Sequence, residues 1–262
     1  MSEPSIKELV KAGALFVANH SGGKDSDAQL IKIRSVVPAS QLLVVHASLG
    51  KFEWPGALEL AEQRALSAGL PFIVARASKS MFDMVLRRFE KRPEVPSWPS
   101  SSTRQCTSDL KRGPIQREVR RYAKANGFKL VVNCLGFREQ ESPARRKRKV
   151  LSKMGISNSV LTWYEWLPIH QMKVEEVFWS ILGAGQQPHY AYGLKIIDGK
   201  PVATKNSRLS CVFCLFGSAN DIKHGGREHP ELLAEYDAME KRTGYTMHMS
   251  RVPLIEIVGV AA

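Results

Sequence analysis

The run Ala14-Leu15-Phe16-Val17-Ala18-Asn19-His20 breaks into Ser21-Gly22-Gly23-Lys24-Asp25-Ser26-Asp27-Ala28, and no other stretch constrains the chain as much. An apolar, β-favouring run, two glycines and a helix-compatible segment predict strand, tight loop and helix N-terminus in succession. Proteins place anionic phosphate groups at such junctions. The glycines let backbone N–H groups approach oxygen closely, and the helix dipole adds positive potential. Lys24 supplies a mobile charge, and Ser21 and Ser26 supply hydroxyls. Asp25 can orient Lys24, cap the helix or help hold a metal ion. The four-residue spacer of a Walker A loop is absent. An ordinary Gly-Gly turn before a capped helix is the simpler alternative, and the complete hexapeptide after a buried-type strand argues against it.

Further apolar runs at 41–47, 72–76, 128–135 and 161–167 read as strands. Helical spacing covers 28–35, 55–68, 80–90, a basic segment ending near Asn126, then 174–182 and 230–242. Strands alternating with helices predict an α/β fold, a Rossmann-like parallel sheet with helices on both faces. Residues 91–105, rich in proline and serine, read as a long loop, and 194–204 as a hairpin turning at Asp198-Gly199. The expected division is a nucleotide-binding core at 1–160. A C-terminal part at 161–262 completes the sheet and adds a small, cysteine-containing helical extension. Residues 143–160, with little apolar periodicity, read as an exposed excursion, disordered in part, that closes over substrate.

The 262 residues carry a formal charge of +13, which favours a polyanionic partner. Within the excursion, Arg145, Arg146, Lys147, Arg148 and Lys149 form the candidate nucleic-acid contact. Four cysteines in a chain of this size do not suggest a disulfide scaffold, and no apolar run approaches a membrane span. A cytoplasmic protein with reduced thiols is expected, with no membrane partner.

Ser-Gly-Gly-Lys-Asp-Ser resembles the PP-loop of the ATP pyrophosphatases. The block Trp98 to Pro114, then Gly136-Phe137-Arg138, Glu141-Ser142-Pro143-Ala144-Arg145, Trp166-Leu167-Pro168-Ile169 and Cys211-Val212-Phe213-Cys214 resemble, in order, motifs of phosphoadenosine phosphosulfate (PAPS) reductase-like proteins. Within them the chain resembles a bacterial and phage branch similar to the ATP pyrophosphatases of DNA phosphorothioation. The resemblance implies a HUP-type adenine nucleotide α-hydrolase fold that binds ATP with Mg²⁺. Ser21, Gly22, Gly23, Lys24, Asp25, Ser26, His46, Lys111, Gly136 and Arg138 are the expected nucleotide set, with Lys24, Asp25 and Arg138 catalytic. His46, inside a strand, also has a purely structural reading, and His189 is an optional general base.

Two departures qualify the resemblance. Ser48 stands where the family carries an acidic residue after the second strand, with Glu53 close enough to substitute for it. Cys214 is the last cysteine, so the C-terminal cysteine motif of the reductases is missing. An intact loop without that motif favours ATP-dependent adenylation of an acceptor for sulfur transfer, with a cysteine desulfurase as possible donor. Sulfonucleotide reduction and a non-catalytic nucleic-acid-binding module are the alternatives. Cys106, Cys211 and Cys214 are expected to hold an iron–sulfur cluster (4Fe-4S) or zinc. Cys134, His224 and His229 are open candidates for a fourth ligand, with Cys134 also fitting a core position.

Overall fold

Apolar side chains on both faces make the short runs of this chain central strands. The computed structural model describes residues 3–259. In chain order they form α1 (Ile6–Lys11), β1 (Leu15–Asn19), α2 (Lys24–Arg34), β2 (Leu42–Ser48), α3 (Ala57–Ser67), β3 (Phe72–Arg76) and α4 (Met81–Lys91). There follow α5 (Gln105–Thr107), a π-turn (Ser108–Arg112), α6 (Gly113–Ala125), β4 (Leu130–Cys134), α7 (Pro143–Arg146), β5 (Leu151–Lys153), β6 (Thr162–Trp166) and α8 (Val174–Gly183). The hairpin β7 (Leu194–Ile197) and β8 (Lys200–Ala203) precedes α9 (Ala219–Glu228), α10 (Pro230–Thr243) and α11 (Leu254–Val258). Among the described residues no helix is long and apolar enough to cross a membrane.

The main sheet runs β3-β2-β1-β4-β6-β5, parallel except for β5. It is Rossmann-like, and the strand order reverses at β1, so the carboxyl ends of β1 and β4 flank the crevice where such sheets bind ligands. Alternation along the strands divides the core. Phe16, Ala18, Val44 and Val132 pack with Leu9, Ile33 and Ala65 of α1, α2 and α3. Leu15, Val17, Leu43, Val45 and Val131 pack with Val119 and Ala123 of α6. A third apolar cluster joins Phe52, Met84, Trp98, Phe213, Ile222, Tyr236 and Leu254, and so binds the C-terminal helices to the segment after β2.

Several elements depart from expectation. The second helix begins at Lys24, not near Ala28, because Gly23 is its N-cap residue and accepts from the N–H groups of Ser26 and Asp27, each at 3.0 Å. The loop is therefore only 20–23, and Lys24, Asp25 and Ser26 occupy the first helical turn. The excursion 143–160 is ordered: Ser142 accepts from the Arg145 N–H at 3.2 Å, and β5 pairs antiparallel with β6 through Leu151↔Trp166. The 91–105 loop is tied down by Trp98, which stacks on Tyr236 and donates to the Tyr245 carbonyl at 2.8 Å. Helix α9 is absent from the sequence reading because Gly225-Gly226 breaks its pattern. Those glycines make room, since a Cβ on Gly226 would lie 2.4 Å from a methyl of Val258 in α11.

Candidate active site

The loop between β1 and α2 owes its shape to its smallest residues. Gly22 takes φ +72°, and a Cβ there would lie 2.4 Å from the Ala57 carbonyl oxygen at the start of α3. A Cβ on Gly136, after β4, would lie 2.8 Å from the Asp25 carbonyl oxygen. Both glycines are thus demanded by backbone approach. Ser26 Oγ donates to the Gly23 carbonyl at 2.7 Å and accepts from the Ser21 N–H at 3.3 Å, which closes the turn. His20 accepts the Gly22 N–H on Nδ1 at 3.2 Å and presents Nε2 to Asp27 at 3.2 Å. Asp27 in turn takes Arg64 Nε at 3.0 Å. His20 therefore completes the turn. Gly23 brings no capping side chain to this eleven-residue helix, and the Lys24 N–H donates instead to Tyr192 Oη at 3.0 Å.

Two cations converge there on one carboxylate. Lys24 Nζ lies 2.9 Å from Asp25 Oδ2, and Arg138 Nε donates to Asp25 Oδ1 at 2.7 Å. Arg138 arrives from the segment after β4, with a second bond from Nη1 to Gln140 at 2.8 Å. Burial pushes the Asp25 carboxyl up, but Lys24 and Arg138 outweigh it and hold it below the usual carboxylate range. The trio carries a net positive charge. Lys24 is only 2% exposed, sits 5.2 Å over the Tyr192 ring and also donates to the Ser207 carbonyl at 3.1 Å. Asn19 and Asn133, paired at 2.8 Å, join the carboxyl ends of β1 and β4 beneath the trio.

The end of β2 carries a carboxylate despite Ser48. Glu53 folds back so that it accepts from the Leu49 N–H and meets His46 Nε2 at 2.7 Å. Burial raises the Glu53 carboxyl, and the His46 bond more than offsets this, so it too lies below its ordinary value. His46 Nδ1 is 2.9 Å from the His20 carbonyl. With both ring nitrogens engaged, His46 positions Glu53. His189 is likewise occupied: Nε2 meets the Pro55 carbonyl at 2.9 Å and Nδ1 accepts the Ala191 N–H, which removes it as a general base. A cavity of about 700 Å³ opens beside Glu53, lined also by Ser48, Trp54, Glu59, His229 and Glu235. Its carboxylates suit a neutral or cationic group better than phosphate.

Cys106, Cys211 and Cys214 are brought together, with Lys111 as their common neighbour. Lys111 projects from the π-turn, and Cys211 bridges to Glu53 along the backbone. The field of Cys211, opposed by burial and reinforced by Cys214, Cys106 and Glu53, holds the Lys111 ammonium above its ordinary value. Lys111 thus stands beside the three cysteines and Glu53. Burial pushes the Cys211 thiol up to about 12 and raises Cys106, so a metal bound here would have to displace their protons. Among the described residues no three His, Cys, Asp or Glu side chains are placed to hold a metal ion. The three cysteines, with the Lys111 ammonium beside them, therefore present no preassembled zinc or iron–sulfur site among the described residues. The candidate fourth ligands lie elsewhere: Cys134 in the strand core, His224 and His229 against Trp54 at 5.1 and 5.0 Å.

The basic block divides. Arg145 stacks over Phe137 at 4.1 Å and pairs with Glu141; Arg148 pairs with Glu165, and Lys149 lies 3.7 Å from Glu3. Arg146 and Lys147 are exposed and take part in no ion pair among the described residues.

No family model matches the chain, and no curated protein matches it. Among solved structures it is similar to the PAPS reductase from Candida auris in its phosphate complex, with 16% identity over 74% of this chain and 88% of that one, TM-score 0.46. It is also similar to the U34-tRNA thiolase NcsA from Methanococcus maripaludis with its 4Fe-4S cluster, at 12% identity over 94% and 81% of the two chains, TM-score 0.41. A third is the FMN adenylyltransferase from Candida glabrata with FAD and inorganic pyrophosphate, at 12% identity, TM-score 0.42. The match covers 69% of this chain and 53% of that one.

Proposed function

We propose that this chain is a PP-loop ATP pyrophosphatase that adenylates an acceptor for sulfur transfer, with nucleic acid as the acceptor. The observation that carries the reading is the Lys24–Asp25–Arg138 trio at the N-terminus of α2, beside the strand-order switch point. Phosphate oxygens can replace the Asp25 oxygens as partners of both cations, so charge that develops on leaving pyrophosphate meets donors already in place. ATP would arrive as its Mg²⁺ complex, whose metal screens phosphate charge. The acceptor oxygen attacks the α-phosphorus, pyrophosphate leaves, and sulfur then displaces AMP. Positioning and charge carry such a step without a dedicated base, in keeping with the engagement of His46 and His189. The thiols gathered near Glu53 lie at the same end of the sheet, where a sulfur donor would deliver. The +13 charge supports a polyanionic acceptor.

The test is direct. The protein should bind ATP and release pyrophosphate, faster with the true acceptor, and Lys24→Ala should slow release by roughly 10²-fold or more. Tight binding of PAPS with no binding of ATP would overturn the reading in favour of sulfonucleotide chemistry.

A further inference from the structure

The segment 205–214 touches both halves of the site. At its start the Lys205 N–H donates to the Tyr192 carbonyl and the Asn206 N–H to the Ala191 carbonyl, each at 3.1 Å. The Ser207 carbonyl then takes the Lys24 ammonium at 3.1 Å. Leu209 packs over Gly23, where its Cβ would stand 3.2 Å from a Cβ on the glycine. Cys211 bridges to Glu53, the Val212 N–H donates to the Phe52 carbonyl at 2.9 Å, and Cys214 follows. One side chain pins the strap from behind. Asp221, 5% exposed in the first turn of α9, accepts from the Ser207 N–H at 2.7 Å, Ser207 Oγ at 2.9 Å and the Ser218 N–H at 3.0 Å.

We infer that this strap couples occupancy of the phosphate loop to exposure of Cys211 and Cys214, with Asp221 as its positioning residue. The Lys24 ammonium is shared between Asp25 and the Ser207 carbonyl, so a phosphate that recruits it withdraws a bond from the strap. The displacement is transmitted over the few residues to Cys211, which is 8% exposed and reacts only when the strap lifts. Linkage makes the effect reciprocal: a change at the thiols that lifts the strap alters nucleotide affinity by the same factor. The inference rests on the loop being the nucleotide site, but the bond it invokes exists without nucleotide.

Peptide-resolved maleimide labelling tests it, with buried Cys134 as the internal reference for global unfolding. A non-hydrolysable ATP analogue should raise labelling of Cys211 and Cys214 relative to Cys134 by at least about fivefold, the lower end of ordinary coupling between sites. Lys24→Met should raise it with no nucleotide present. Asp221→Asn should raise it and abolish the response to the analogue. Ser218→Ala weakens the α9 cap yet leaves the Asp221–Ser207 bonds, so it should lower the melting temperature without changing the labelling ratio. Unchanged ratios in both Lys24→Met and Asp221→Asn would overturn the coupling. Calorimetry that shows no binding of the analogue would instead overturn the nucleotide reading, and the Lys24→Met arm would still decide the strap.

Discussion

At the scale of single residues, the site is governed by which carboxylates are held ionised. Asp25 and Glu53 both lie below their ordinary values, Asp25 through Lys24 and Arg138 and Glu53 through His46, each against an opposing contribution from burial. A depressed carboxyl contributes stability above its unfolded pKa, and this is lost as the pH falls through its folded value. Thermal melts should therefore show stability declining as the pH drops below roughly 4, near the unfolded Asp and Glu values. Asp25→Asn should make that decline shallower. A variant whose acid profile superimposes on the parent would show that the trio is not an ion cluster in solution. The same residue set explains what the sequence conceals. The loop hexapeptide announces itself by type, but the bond between Lys24 and Ser207 spans 183 positions, and no local pattern encodes it. Glu53 as the stand-in for Ser48 is legible only as proximity, and His46 as its holder is not legible at all.

At the scale of elements, buried parallel strands were the easiest to read, because apolar residues on both faces leave an unbroken run. β3, a half-buried edge strand, still coincides with its expected bounds because its apolar run is unbroken, and the hairpin turns at Asp198-Gly199 as expected. The harder elements depend on partners. β5 is three residues with a polar centre, and it is a strand only because β6 lies alongside. The first turn of α2 looks like loop from its composition, yet Gly23 caps it and the closeness of α3 fixes the approach. Gly22 is the point of contact between these elements. Gly22→Ala would need a left-handed backbone, costing about 1–3 kcal/mol by itself, and would drive a methyl into the Ala57 carbonyl. Urea titration should show a loss at least that large, with the phosphate loop the first region to lose hydrogen-exchange protection.

For the whole molecule, the charge of +13 is not concentrated in the run that first suggests it. Arg145 and Arg148 belong to the structure through Phe137, Glu141 and Glu165, while Arg146 and Lys147 face solvent. If nucleic acid is the acceptor, neutralising Arg146 and Lys147 together should reduce the slope of log affinity against log salt by about 2, near one per phosphate contact, and leave ATP binding unchanged. A slope that does not move would place the polyanion on another face.

The π-turn at Ser108–Arg112 sets the direction in which Lys111 points. A helix that closes its hydrogen bonds five residues back holds one residue more per turn than its neighbours, so such a turn behaves as a single-residue insertion absorbed without breaking the helix. Each residue of an ordinary helix advances the side-chain direction by about 100°. A chain shortened by one residue here would close as ordinary α-helix and carry its lysine about 100° round the axis, away from Cys106 and Cys211. That single extra residue, absorbed while α6 beyond it packs on the sheet, is what sets an ammonium beside the thiols.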